Sequence, residues 1–125
     1  MFSHVMLGAS DLERSRQFYD AVLGTLGIGE PRRDADRYFY RGGGMSFAIS
    51  VPIDGESATH ANGGTIGFAA DSPEAVHAFH EAGLANGGTT LEDPPGVRSG
   101  AFGDLYLAYL RDPDGNKICA LHRVK

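Results

Sequence analysis

The sequence predicts an α+β fold built from two βαβββ modules, and three observations lead to it. Thr65 to Leu84 can be laid over His4 to Leu23 without a gap, matching Ala9 with Ala70, Glu13 with Glu74, Phe18 with Phe79, Ala21 with Ala82 and Leu23 with Leu84. In each copy a short apolar run precedes a helical pattern, and strand-rich sequence follows. Near the C-terminus, two apolar runs, Leu105 to Leu110 and Ile118 to His122, flank Asp112-Pro113-Asp114-Gly115. Pro and Gly stand there where a tight turn needs a fixed and a positive φ, so the stretch predicts a β-hairpin.

Each element has its own local reason. His4 to Ala9 is a short strand, and Ser10 and Asp11 are good helix caps. From Leu12 to Leu23 the apolar positions Leu12, Phe18, Tyr19, Val22 and Leu23 cluster near one face, and Gly24 is a stop. Glycines and Pro31 then break the chain. Arg37 to Tyr40 and Met45 to Val51 are two strands joined by the turn Gly42 to Gly44, and Pro52 to Gly64 is a polar crossover. In the second copy, the helix has Val76, Phe79, Ala82 and Gly83 as its apolar face, which leaves His77 and His80 at the edges or outside, as solvated side chains. Strands follow at Thr89 to Glu92, Tyr106 to Leu110 and Lys117 to His122, with Pro94 to Gly100 as a loop.

Period-two alternation assigns faces. In the last strand Ile118, Ala120 and His122 share one side and Cys119 and Leu121 the other. If Val5, Leu7, Ile66 and Phe68 pack under the helices, then His4, Met6 and Gly8, with Thr65, Gly67 and Ala69, face the opposite way. Most of these are small and leave room for a cavity, with walls from Tyr38, Phe39, Tyr40, Phe47, Phe102, Tyr106 and Tyr109. His122 points away from Cys119, so no Cys-His pair forms between them, and Cys119 reads as a small buried hydrophobe. Arg98 lies near a cavity mouth and is placed to clamp a carboxylate or phosphate.

Composition bounds the function. A chain of 125 residues, 22 % charged and 42 % hydrophobic, fits one domain, with modules at about 3–55 and 64–124. The net charge of −5 without a basic run gives no electrostatic footprint for nucleic acid or an anionic membrane, so a small-molecule partner is expected. No apolar run approaches the roughly 20 residues of a membrane span, and the start Met1-Phe2-Ser3-His4 lacks a signal-peptide pattern. A cytoplasmic location is the resulting expectation. The single cysteine, Cys119, excludes an intrachain disulfide and a Cys-rich zinc site.

His4 to Gly24 resembles the opening of the vicinal oxygen chelate superfamily, which includes glyoxalases, bleomycin-resistance proteins and extradiol dioxygenases, and Arg111 to Ile118 resembles its closing hairpin. The resemblance implies two βαβββ modules whose sheets curl around a cavity with helices on the outer faces, and a homodimer. It also implies a divalent metal held by side chains of the first and last strands of each module. Those places are His4, a residue of the strand Met45 to Val51 counted as Ile49, Thr65 and Cys119. Only His4 keeps a strong ligand type, Thr65 occupies the place of a second His, and Cys119 stands where Glu is usual. A catalytic metal site normally has three protein ligands. The expected function is therefore binding of a small organic molecule in the cavity without the usual metal set or other cofactor. The binding residues expected are His4, Met6, Phe47, Thr65, Arg98, Tyr106 and Cys119. The alternative is a metal-dependent lyase, isomerase or dioxygenase, lactoylglutathione lyase-like, with a rearranged ligand set that includes His4.

Overall fold

A computed structural model describes residues 1 to 124. In chain order the elements are β1 (His4–Gly8), α1 (Leu12–Gly24), β2 (Arg32–Asp34), β3 (Arg37–Gly42), β4 (Met45–Ser50), β5 (Ile66–Ala69), α2 (Pro73–Ala85), β6 (Thr89–Gly100), β7 (Gly103–Arg111) and β8 (Lys117–Arg123). The repeat holds down to single hydrogen bonds. Asp11 Oδ1 accepts from the Arg14 amide at 3.1 Å, and Ser72 Oγ accepts from the Ala75 amide at 3.1 Å. Each cap satisfies a backbone donor that the first helical turn leaves unpaired. The amides of Ala9 and Ala70 donate to Ser50 and Leu121 carbonyls at 2.9 and 2.8 Å.

The strands form two four-stranded sheets, ordered β1-β4-β3-β2 and β5-β8-β7-β6. The β1–β4 and β5–β8 pairs are parallel and the others antiparallel. Gly43 and Gly44 turn β3 into β4 with φ of +59° and +80°, values that suit a two-residue hairpin turn. Two strand features differ from expectation. The three residues of β2, Arg-Arg-Asp, carry no apolar pattern, so nothing in the sequence marks them as a strand. The Pro94 to Gly100 segment, expected as a loop, belongs to β6. The register shifts between Leu91 and Gly96, which accommodates both prolines on an edge strand where their missing donors cost no ladder bond.

Both helices contribute to one core. Phe18, Val22, Val76 and Phe79 are fully buried together with Ile49, Leu110 and Ile118. A line of rings crosses from the first module to the second: Tyr19 to Phe47 at 4.8 Å, Phe47 to Phe68 at 5.1 Å, Phe68 to Phe79 at 6.2 Å. The helices also pack on each other. His80, expected in solvent, is buried at this helix-sheet boundary with Nε2 2.9 Å from Thr90 Oγ1, and burial pushes its pKa down. His77 is exposed and lies 2.7 Å from Tyr106 Oη.

The Asp112 to Gly115 turn fastens one module to the other. Asp112 Oδ2 accepts from Tyr19 Oη at 2.6 Å and from Asn116 Nδ2 at 2.9 Å, and its Oδ1 accepts from the amides of Asp114 and Asn116. Asp114 accepts from the Ser10 amide at 2.9 Å and from Ser15 Oγ at 3.0 Å, both at the start of α1. At Gly88 an added Cβ would lie 2.6 Å from Phe18 Cε1, so the close approach of α1 there requires glycine. Among the described residues no helix is long and apolar enough to cross a membrane.

Candidate functional site

With both helices on one side, each sheet has a face that no helix covers. The faces follow from burial and register. In the first sheet Tyr38, Tyr40, Phe47 and Ile49 are buried toward α1. The alternate residues therefore point away, and the pairing aligns them in rows: Arg41, Ser46 and His4; Arg32, Phe39, Ala48 and Met6; Asp34, Arg37, Ser50 and Gly8. His4 is exposed, with Nδ1 2.7 Å from Ser3 Oγ, and Met6 is 38 % exposed. The crossover folds over one end, where Ala58 packs above Gly8 so closely that a Cβ at that glycine would meet it at 3.1 Å.

In the second sheet Tyr106, Ala108, Leu110, Ile118 and Ala120 pack toward the helices. Leu107, Tyr109, Cys119 and Leu121 occupy the helix-free face. Cys119 is buried beside Gly67, where a Cβ would lie 3.3 Å from its sulfur. Lys117 pairs with Glu92, and its Nζ lies 4.8 Å from the Tyr109 ring centre. Burial pushes the Cys119 thiol up to about 11, so it is protonated and weakly nucleophilic at neutral pH. Arg98 donates to the carbonyls of Asp93, Pro94 and Gly96 at 2.8, 3.1 and 3.1 Å, and so braces the irregular part of β6.

The residues expected to line a binding site thus divide three ways. His4 and Met6 share the helix-free face of the first sheet, and Thr65 is exposed just before β5. Cys119 and Arg98 belong to the helix-free face of the second sheet, so His4 and Cys119 sit on separate sheets. Phe47 and Tyr106 lie on the helix side. Phe47 also borders a cleft of about 520 Å³ between the modules, together with Val5, Ile28, Tyr40, Ile66 and Phe68. The residues that sequence reasoning left unassigned are Arg32, Arg37 and Arg41 around Phe39. Their signal was the run Arg37-Tyr38-Phe39-Tyr40-Arg41, in which alternation separates the tyrosines from the rest.

The places implied for a metal do not suit one. Ile49 points into the core, and its neighbours on the His4 face are Ala48 and Ser50, which bring no imidazole or carboxylate. Thr65 is a weak donor, and Cys119 lies on the other sheet from His4. Among the described residues no three of His, Cys, Asp or Glu come together as a metal-binding group.

The family model described as the glyoxalase/bleomycin resistance protein/dioxygenase superfamily matches residues 1–120. The chain belongs to that superfamily. Among solved superfamily structures, a glyoxalase/bleomycin resistance protein from Albidiferax ferrireducens T118 is 67 % identical and superimposes with a TM-score of 0.96, over 98 % of this chain and 99 % of that one. A lactoylglutathione lyase of Haemophilus influenzae is 28 % identical over 120 residues, 92 % of this chain and 87 % of that protein. The structure of a lactoylglutathione lyase from Agrobacterium tumefaciens has a TM-score of 0.67 at 22 % identity, over 98 % of this chain and 92 % of that one, a likeness of fold alone.

Proposed function

We propose that this superfamily member binds a small organic molecule on its helix-free sheet faces, in the cytoplasm and as a homodimer, without a bound catalytic metal. The observation that carries this is the chemistry of those faces. Met6 and Phe39 on one sheet and Tyr109 and Leu121 on the other make partly exposed apolar floors, polar groups rim them, and only His4 is a strong donor type among the places where superfamily metalloenzymes hold their ion. Apolar floors with a few oriented polar groups are the usual composition of small-molecule sites. His4, Met6, Thr65 and Cys119 are the proposed binding residues on these faces.

A lyase reading is favoured by one observation, the 28 % identity to the Haemophilus influenzae lactoylglutathione lyase. It requires a metal, and here the donor chemistry argues against it. The two readings separate in one experiment: elemental analysis of protein purified without a histidine tag, beside His4→Ala, followed by a thermal-shift screen of small organic compounds. Metal-free protein that cannot be loaded and whose melting temperature rises with a ligand is the expected result. Stoichiometric metal that disappears in His4→Ala would replace the binding reading with the lyase one.

A further inference from the structure

The arginines of the molecule fall into two sets. On the helix side every arginine of the first module has an acidic partner: Arg14 with Asp114 at 3.6 Å, Arg16 with Asp20 at 3.2 Å, Arg33 with Glu13 at 3.5 Å. On the helix-free face of the first sheet, Arg32, Arg37 and Arg41 are all exposed, and none makes a hydrogen bond or ion pair through its side chain among the described residues. We propose that these three arginines, set around Phe39, bind the anionic group of a small molecule with a planar apolar body, a carboxylate or a phosphate. This names the ligand class of the binding function proposed above and rests on it.

The geometry follows from the pairing. Arg37 and Arg41 stand two residues to either side of Phe39 on β3, about 7 Å along the strand, and Arg32 faces Phe39 across the β2–β3 pair at roughly 5 Å. The three arginine positions thus flank one half-buried aromatic residue on the same face. Farther along the same row Ala48 is fully buried and Met6 is 38 % exposed, so the half-buried Phe39 ring and the flexible Met6 side chain are the apolar surface open to a flat body. Arg41 continues through Ser46 to His4 in the adjoining row, which adds a hydroxyl and an imidazole at the same end. Asp34, opposite Arg37, is the one acid in these rows, and the two do not form an ion pair.

Charge argues the same way. The whole chain carries −5, so a positive sheet face is a local arrangement and not a consequence of composition. Three exposed guanidinium groups on one face, with Asp34 as the one acid in the same rows, leave donors free to give an anion charge-assisted hydrogen bonds. Arginine suits the task because its planar fork matches carboxylate and phosphate oxygens and its face stacks on aromatic rings. The crossover at Ala58 covers the far end of the face, which limits the length of an occupant and favours a small molecule over a polymer.

The test is isothermal titration of the full chain with 2-naphthoate, 2-naphthyl phosphate and the neutral 2-naphthamide, at low and at high salt. Wild type is compared with Arg37→Gln/Arg41→Gln and with Phe39→Ala, each checked for folding by circular dichroism. At least one anion is expected to bind about tenfold more tightly than the amide. That preference should shrink in the double variant and at high salt, while Phe39→Ala weakens anion and amide alike. The preferred anion distinguishes carboxylate from phosphate chemistry. Equal affinity for anions and amide, or a preference that survives the double substitution, overturns the inference and leaves the binding function standing. Failure of all three probes to bind overturns the inference too, and the ligand screen described above then decides the binding function by itself.

Discussion

Cys119 shows how a single position changes meaning once its surroundings are known. As the only cysteine, on the strand that closes the fold, it invites a reading as nucleophile or metal ligand. It is buried at the side of Gly67, its thiol is pushed up to about 11 chiefly by loss of solvation, and Glu92 raises it further while Lys117 opposes the shift. Alkylation by iodoacetamide at pH 8, followed by mass spectrometry, should therefore be slow in the native protein and fast in denaturant. Rapid labelling of native protein would contradict this environment. At Arg98 the same residue-scale logic shifts a suspected ligand clamp toward the backbone, because three carbonyls already take its hydrogen bonds.

Among the elements, the C-terminal hairpin is the most informative. Its turn residues Asp112 and Asp114 shape the turn, and they also reach across to α1 and to Ser10. The Tyr19 phenol is nearly fully buried, and burial followed by the nearby Asp112 holds its pKa well above the usual tyrosine value, so it stays a hydrogen-bond donor. Tyr19→Phe removes the 2.6 Å bond to Asp112 while keeping the ring, and should cost roughly 1 to 3 kcal/mol in denaturant unfolding. A cost near zero would mean that the turn does not depend on α1. The helices and the hairpin were legible locally because periodicity, caps and turn residues lie close together in sequence. Strand β2 was not, since Arg32 and Asp34 are strand residues only because Phe39 and Arg37 lie opposite them.

At the scale of the whole molecule, two repeats share one hydrophobic core and one line of aromatic rings. The modules are therefore expected to unfold together. Phe79→Ala, at a position with no solvent exposure, should destabilise by about 3 to 5 kcal/mol, a large share of the roughly 5 to 15 kcal/mol of a typical domain. It should move a single transition seen equally by far-ultraviolet circular dichroism and by tyrosine fluorescence. Two separated transitions would show that the modules are energetically independent. Because both helices lie against the shared core, the two sheets keep helix-free faces, and it is there that the proposed ligand chemistry resides.

The sequence by itself determined the repeat, the class of each main element and the superfamily, because these rest on spacing along the chain: Phe18 with Phe79, Ser10 and Asp11 ahead of the first helix, the Asp-Pro-Asp-Gly turn. The residue types at the places implied for a metal, of which only His4 is a strong ligand type, are likewise read from the sequence. Only the tertiary structure decided which strand faces meet the helices. Tyr38, Tyr40, Phe47 and Tyr106 went to the core, and Phe39 with its arginines to the helix-free face. An aromatic residue satisfies either side of a strand, and a shift of one residue exchanges the sides. The choice is made by the packing of α1 and α2 against the sheets, information that no single strand contains.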